Sequence, residues 1–118
     1  MRLLDEQPLT VITGAEGKAF LFFCPACQNT HFFAVGASKG PSWQFDGNMD
    51  APTFTPSLKI SGTQPITDEE HATIMGGGKI VPRPMCCHLN LSAGKIVYHG
   101  DCTHAMRGTT VPMEDVDA

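Results

Sequence analysis

The chain has 118 residues, 42% of them hydrophobic and 17% charged, with 12 acidic against 8 basic side chains and a formal net charge of −4. That length and mixture suit one globular domain and exclude wholesale disorder. The acidic balance, with no visible basic cluster, excludes a general phosphate-backbone binder, so nucleic acid is not an expected partner.

Taken in chain order, the opening segment is apolar but is broken by Asp5, Glu6 and Pro8 before it reaches the length of an export signal. The longest apolar run, Ala19 to Cys24, falls far below the roughly 18 residues of a membrane helix. A cytoplasmic location without a membrane partner is therefore expected. Leu9 to Thr13, Lys18 to Phe23 and His31 to Val35 read as short strands rich in β-branched and aromatic residues. Ser42 to Phe45 is a further short strand. Thr53 to Ile60 is extended, but Pro52 and Pro56 remove ladder donors and confine it to an edge or to a run across the sheet.

Thr67-Asp68-Glu69-Glu70 has the spacing of a capping box and opens one helix, which Gly76-Gly77-Gly78 stops after Met75. Residues 61–84 then form an excursion between strands rather than a second domain. Cys87 to Gly100 reads as a hairpin turning at Ala93-Gly94, with Ser92 facing Lys95, Leu91 facing Ile96 and Leu89 facing Tyr98. Alternation puts Cys87, Leu89, Leu91, Ile96 and Tyr98 on one face, joined by Cys102 and His104 if the strand continues. His88, Asn90, Val97, His99 and Asp101 fall on the other. The expected fold is mainly β (α+β): a small antiparallel sheet domain with one short helix and a zinc knuckle. A single zinc-binding domain spans residues 1–113, and an acidic tail follows over 114–118.

Five cysteines in a chain without an export signal point to metal ligation or thiol chemistry rather than to disulfides. Cys24-Pro25-Ala26-Cys27 leads into a strand, whereas a redox CxxC opens a helix whose dipole lowers the thiol pKa, so the context favours a metal knuckle. Asn29 is the expected left-handed residue of its turn. A knuckle supplies two of four ligands, and the C-terminal hairpin supplies the others. The favoured zinc set is Cys24, Cys27, Cys87 and His104, with Cys102 competing for the last place. His31 competes from the loop but reads as structural, and Cys86 reads as a small buried hydrophobe. On the opposite face, His88, His99 and Asp101 are either a polar stripe or an open metal site that activates water. Trp43 is read as a core residue beside stiff proline segments, with Thr53 and Ser57 satisfying backbone groups. No serine triad is expected, because the sequence holds no Gly-x-Ser-x-Gly elbow.

These residues, in order, resemble a family. Cys24-Pro25-x-Cys27 with His31, Trp43-x-Phe45, Pro52-Thr53-x-x-Pro56-Ser57, Cys87-His88 and Asp101-Cys102-Thr103-His104 together are similar to a family of small uncharacterised bacterial and phage proteins with a CPxC…CH…DCTH pattern. Some of its members carry the label ammonia monooxygenase. The likeness spans about residues 18–113. It implies a prophage or phage setting and a zinc site, with Cys24, Cys27, Cys87, His88, Asp101, Cys102 and His104 as motif residues. The function expected from residues and resemblance together is a small phage-type, zinc-stabilised binding or accessory protein, more a binder than an enzyme, acting on a host protein partner in a bacterial cell or infected host. The alternative is a zinc-dependent hydrolase whose open metal site uses His88, Asp101 and His104. Thiol redox work by Cys24 and Cys27 is a third and weaker reading.

Overall fold

The computed structural model describes residues 2–116. Three antiparallel strands come first: β1 (Asp5–Pro8), β2 (Lys18–Cys24) and β3 (Asn29–Val35), in the order β1-β2-β3. The β2 sequence alternates between the core and a partly covered face, burying Phe20, Phe22 and Cys24. Leu9 to Thr13, expected as a strand, is instead a 3-10 turn at Leu9–Val11 that buries only Leu9. The strand lies one step earlier, because Pro8 ends the ladder and the Leu9 N–H turns to Gly17 O at 3.0 Å.

The proline-flanked segment divides in two. β4 (Gln44–Phe45) pairs with β5 (Phe54–Thr55), and the chain passes Pro56 and Ser57 into β6 (Leu58–Thr63). β6 is the outer strand of a third antiparallel sheet, completed by β7 (Pro84–Ser92), β8 (Lys95–Tyr98) and β9 (Thr110–Pro112) in the order β6-β7-β8-β9. The hairpin register is the expected one, with Leu89 opposite Tyr98, Leu91 opposite Ile96 and Ser92 opposite Lys95. Its turn needs positive φ at Ala93 (49°) and Gly94 (77°). A Cβ on Gly94 would also meet Ala51 Cα at 3.1 Å, so glycine here permits both the turn and its seat on the preceding loop.

Between β6 and β7 stands an arm whose helix α1 (Asp68–Met75) has both halves of its capping box in place. None of its residues is buried. Arg83 ties the arm down, reaching Glu70 Oε1 at 2.7 Å and Gln64 Oε1 at 2.9 Å. The core draws on all three sheets and is rich in aromatic rings, with Phe54 stacked on Phe33 at 4.4 Å and on Phe45 at 4.6 Å. Trp43 packs edge-on against Phe33. Of the acidic tail expected over 114–118, Val116 donates its N–H to Arg2 O at 2.8 Å, and residues 117 and 118 lie outside the described residues.

Candidate active site and metal centre

Two groups of chemically capable side chains sit on opposite faces of β7, and the alternation of a strand separates them. Cys87 points inward and is fully buried, whereas His88, next in sequence, points to the outer face and is partly covered.

On the outer face, His88 Nε2 lies 2.9 Å from Ser57 Oγ, and its Nδ1 lies 3.1 Å from both carboxylate oxygens of Asp101. An ionised carboxylate accepts only, so the Nδ1–H donates to Asp101, and Nε2 is left with a lone pair for the Ser57 hydroxyl. Partial desolvation acts to raise the Asp101 pKa. The hydrogen bond and charge of His88, with Lys59 adding to them, outweigh that and hold the carboxyl below its usual value. Lys59 Nζ stands 3.8 Å from Asp101 Oδ2. The result is a Ser57–His88–Asp101 hydrogen-bonded chain, the arrangement that activates a serine for attack on a carbonyl.

Each member is placed by a local device. Ser57 precedes β6, and its carbonyl accepts from the Trp43 indole N–H at 3.2 Å. The strand leading to it is fastened upstream, where Thr53 Oγ1 accepts from the Ala93 N–H at 2.8 Å. Asp101 rides on a loop that clips to β7. The Cys86 N–H donates to Thr103 Oγ1 at 3.0 Å, and Cys102 Sγ sits 3.2 Å from both His88 N and His88 O. The His99 ring stacks on His88 at 3.9 Å, and its Nε2 is held 2.6 Å from Asn90 Oδ1.

On the inner face, ligand atoms of Cys24, Cys27, His31 and Cys87 all lie within 4.8 Å of one another. Cys24 Sγ and Cys87 Sγ are 3.9 Å apart, too far for a disulfide. Tetrahedral sulfurs on bonds of about 2.3 Å stand roughly 3.8 Å apart, so this spacing suits a shared ion. His31 Nε2 is buried without a hydrogen-bond partner among the described residues, an orphan that a metal bond would satisfy. The thiols cannot all ionise unaided. Cys24 is held down to about 3 by the Cys87 thiol first, against its own burial, with His31 and Tyr98 assisting. Burial first, then the negative charge of Cys24, pushes Cys27 up to about 11. Cys87 is pushed upward by its contact with Cys24 and by burial. Ionising all three together would take a cation among them.

Of the ligands favoured from the sequence, Cys24, Cys27 and Cys87 meet in this group. The fourth member gathered there is His31, carried by β3 opposite Phe22. The strand does not continue past Tyr98, so Cys102 turns back as a clip on the His88 backbone. His104 packs edge-on to Tyr98, with its Nδ1 accepting from the Met106 N–H at 3.2 Å. The knuckle's positive-φ residue is Gln28 (54°), in place of the expected Asn29, whose Oδ1 instead accepts from the Thr30 N–H. Ser57 was hidden because its segment carries no elbow motif; the signal lay in its place beside Pro56 in the ordered pattern.

Fold and sites together define a small β-rich protein with a Ser–His–Asp hydrogen-bonded chain and a Cys3His cluster competent to hold a metal ion. The model of the family described as bacterial ubiquitination-like system serine protease (BubE) matches residues 2–99, and the chain belongs to that family. Neither the curated proteins nor the solved structures contain a match. The family overturns the expectation of a phage-type zinc-binding accessory protein, and a phage setting has no support. It equally replaces the zinc hydrolase: His88 and Asp101 do converge, but on a serine hydroxyl, and His104 stands apart from them. No helix among the described residues is long and apolar enough to cross a membrane.

Proposed function

We propose that this chain is a serine protease of a ubiquitination-like system, with Ser57 as nucleophile, His88 as general base and Asp101 orienting the imidazole. The observation that carries this reading is the unbroken chain of contacts, 2.9 Å from Ser57 to His88 and 3.1 Å from His88 to Asp101, in a member of a serine protease family. Ser57 Oγ attacks the substrate carbonyl while its proton passes to His88 Nε2. Asp101 stabilises the imidazolium that forms. His88 then returns the proton to the leaving amine as the C–N bond breaks, and water, deprotonated by the same imidazole, hydrolyses the acyl-serine. The partners are proteins of such a system, and the substrate is one of them.

The inner cluster supports zinc as its ion in a structural role. Cys24, Cys27, His31 and Cys87 would supply the four protein ligands of a closed structural site, with no place left for a reacting water. An ion held there would tie β2, β3 and β7 together behind His88.

The test is a fluorophosphonate reagent followed by peptide mass mapping. A single adduct is expected on Ser57, absent in Ser57→Ala and strongly slowed in His88→Ala. An adduct on another residue, or unchanged labelling of Ser57→Ala, refutes the assignment.

A further inference from the structure

Resting on that reading of Ser57, the way a substrate reaches it can be read from two sheet edges. β6 is the outer strand of its sheet, and β3 is the outer strand of the first. Between them runs a cleft of about 830 Å³, lined on the β6 side by Leu58 and Ile60 and on the other by Phe32, Ala34 and Trp43. Its charged lining residues are Glu16 and Lys39, of opposite sign. Ser57 does not itself line the cleft; it stands directly before Leu58 at the start of β6, and its carbonyl accepts from the indole of Trp43, which does line it.

The backbone of β6 is presented outward at alternate residues. The backbone groups of Cys86 and His88 are engaged away from β6, with Thr103, Cys102 and His99. Those that face β6 therefore belong to Met85, Cys87 and Leu89, opposite Gly62, Ile60 and Leu58. The N–H and C=O groups of Lys59 and Ser61 then point to the open edge, where no strand pairs with them among the described residues. Leu58 and Ile60 turn their side chains into the cleft, and Lys59 turns to the outer face beside Asp101.

We propose that β6 receives the acyl-side stretch of the substrate polypeptide as an added antiparallel strand. The stretch is extended, apolar at alternate positions, and bonded through its backbone to Lys59 and Ser61. Antiparallel to β6, its chain runs from the Thr63 end toward Ser57, so the carbonyl ending the bound stretch arrives at the nucleophile. Every second side chain enters the cleft. An unfolded tail or linker of a protein fits this edge; a compact surface loop does not.

The probes are acetyl-tripeptidyl diphenyl phosphonates carrying Leu, Val, Ala, Asp or Lys at each position, and the same peptides N-methylated one amide at a time. The readout is the rate of Ser57 phosphonylation by mass spectrometry. Leu or Val at alternate positions is expected to react at least about tenfold faster than Asp or Lys. N-methylation should cost about five- to tenfold at alternate amides and nothing between them, the loss of one strand hydrogen bond each. Rates no better than a non-peptidic diphenyl phosphonate, or equal losses at consecutive amides, overturn strand addition while leaving the triad intact. If the fluorophosphonate itself fails to label Ser57, the triad reading fails. The edge is then read by NMR with the same tripeptides as amides: shifts confined to residues 58–63 and 30–34 uphold it, and shifts elsewhere or none overturn it.

Discussion

Replacing Asp101 by Asn is the sharpest probe of the outer-face chain, because Lys59 dictates how the amide must sit. In the native site both carboxylate oxygens are 3.1 Å from His88 Nδ1, and Oδ2 also faces Lys59 Nζ at 3.8 Å. An asparagine can satisfy the lysine only through its carbonyl oxygen, which turns the Nδ2 amine toward His88. His88 Nδ1 then faces the amine as well as the oxygen, and accepting from the amine places its proton on Nε2, where it can no longer take one from Ser57. General-base assistance is worth 10²–10⁴, and losing the right tautomer is the costly case, so a loss on the order of 10³ in the rate of Ser57 phosphonylation is expected. Asp101→Ala should lose less, about 10², because that side chain is 48% exposed and water can take its place on the Nδ1–H. Adding Lys59→Ala to Asp101→Asn frees the amide to turn and should restore about tenfold. The rate is measured at pH 8 with circular dichroism as a folding control. Asp101→Asn within threefold of the unsubstituted chain, or no recovery in the double variant, would refute the reasoning.

Elemental analysis of purified protein should find one zinc per chain. Structural zinc contributes on the order of 10 kcal/mol, comparable with a whole domain's stability. A verified metal-free sample should therefore lose its cooperative melting transition, and unchanged melting would rule out a structural ion. His31→Ala should weaken zinc binding at least about tenfold in a chelator competition, whereas His104→Ala should leave zinc affinity within twofold; the reverse pattern would move the fourth ligand to His104. Glu70, held down first by the Thr67 backbone N–H and then by Arg83, and Asp101, held down by His88 against desolvation, both have lowered pKa values. A depressed carboxyl stabilises the fold above its ordinary pKa and loses that share as pH falls through the folded value, so both contributions fade below about pH 4. Urea melts of a Glu70→Gln/Asp101→Asn variant should show a shallower decline in that window, and an unchanged slope would contradict the linkage.

Much of the scaffold was legible because local chemistry and tertiary demand agreed. Thr67 and Glu70 wrote their own helix start. The alternation of Leu89, Leu91, Ile96 and Tyr98 around Ala93-Gly94 set both register and buried face. The same alternation correctly separated Cys87 from His88. The site was only half legible, because its remaining members come from segments whose spatial neighbours no period reveals. Ser57 stands 31 residues before His88 and reaches it only because β6 pairs with β7, putting Lys59 opposite His88. His31 looked like a strand-opening residue, and its convergence with Cys24 follows from the β2–β3 register that places Cys24 opposite Asn29. Alternation carries Cys102 and His104 toward the metal only if β8 runs on, whereas the chain turns after Tyr98 and spends Cys102 on the His88 backbone.

The outer-face placement of the triad carries a consequence for selectivity. Proton relays of this kind gain strength when water is shut out, yet here the carboxylate stands half in solvent. On the proposed function, a bound polypeptide that covers Asp101 would dry the reaction centre as it settles, and would be favoured over one that only brushes the serine.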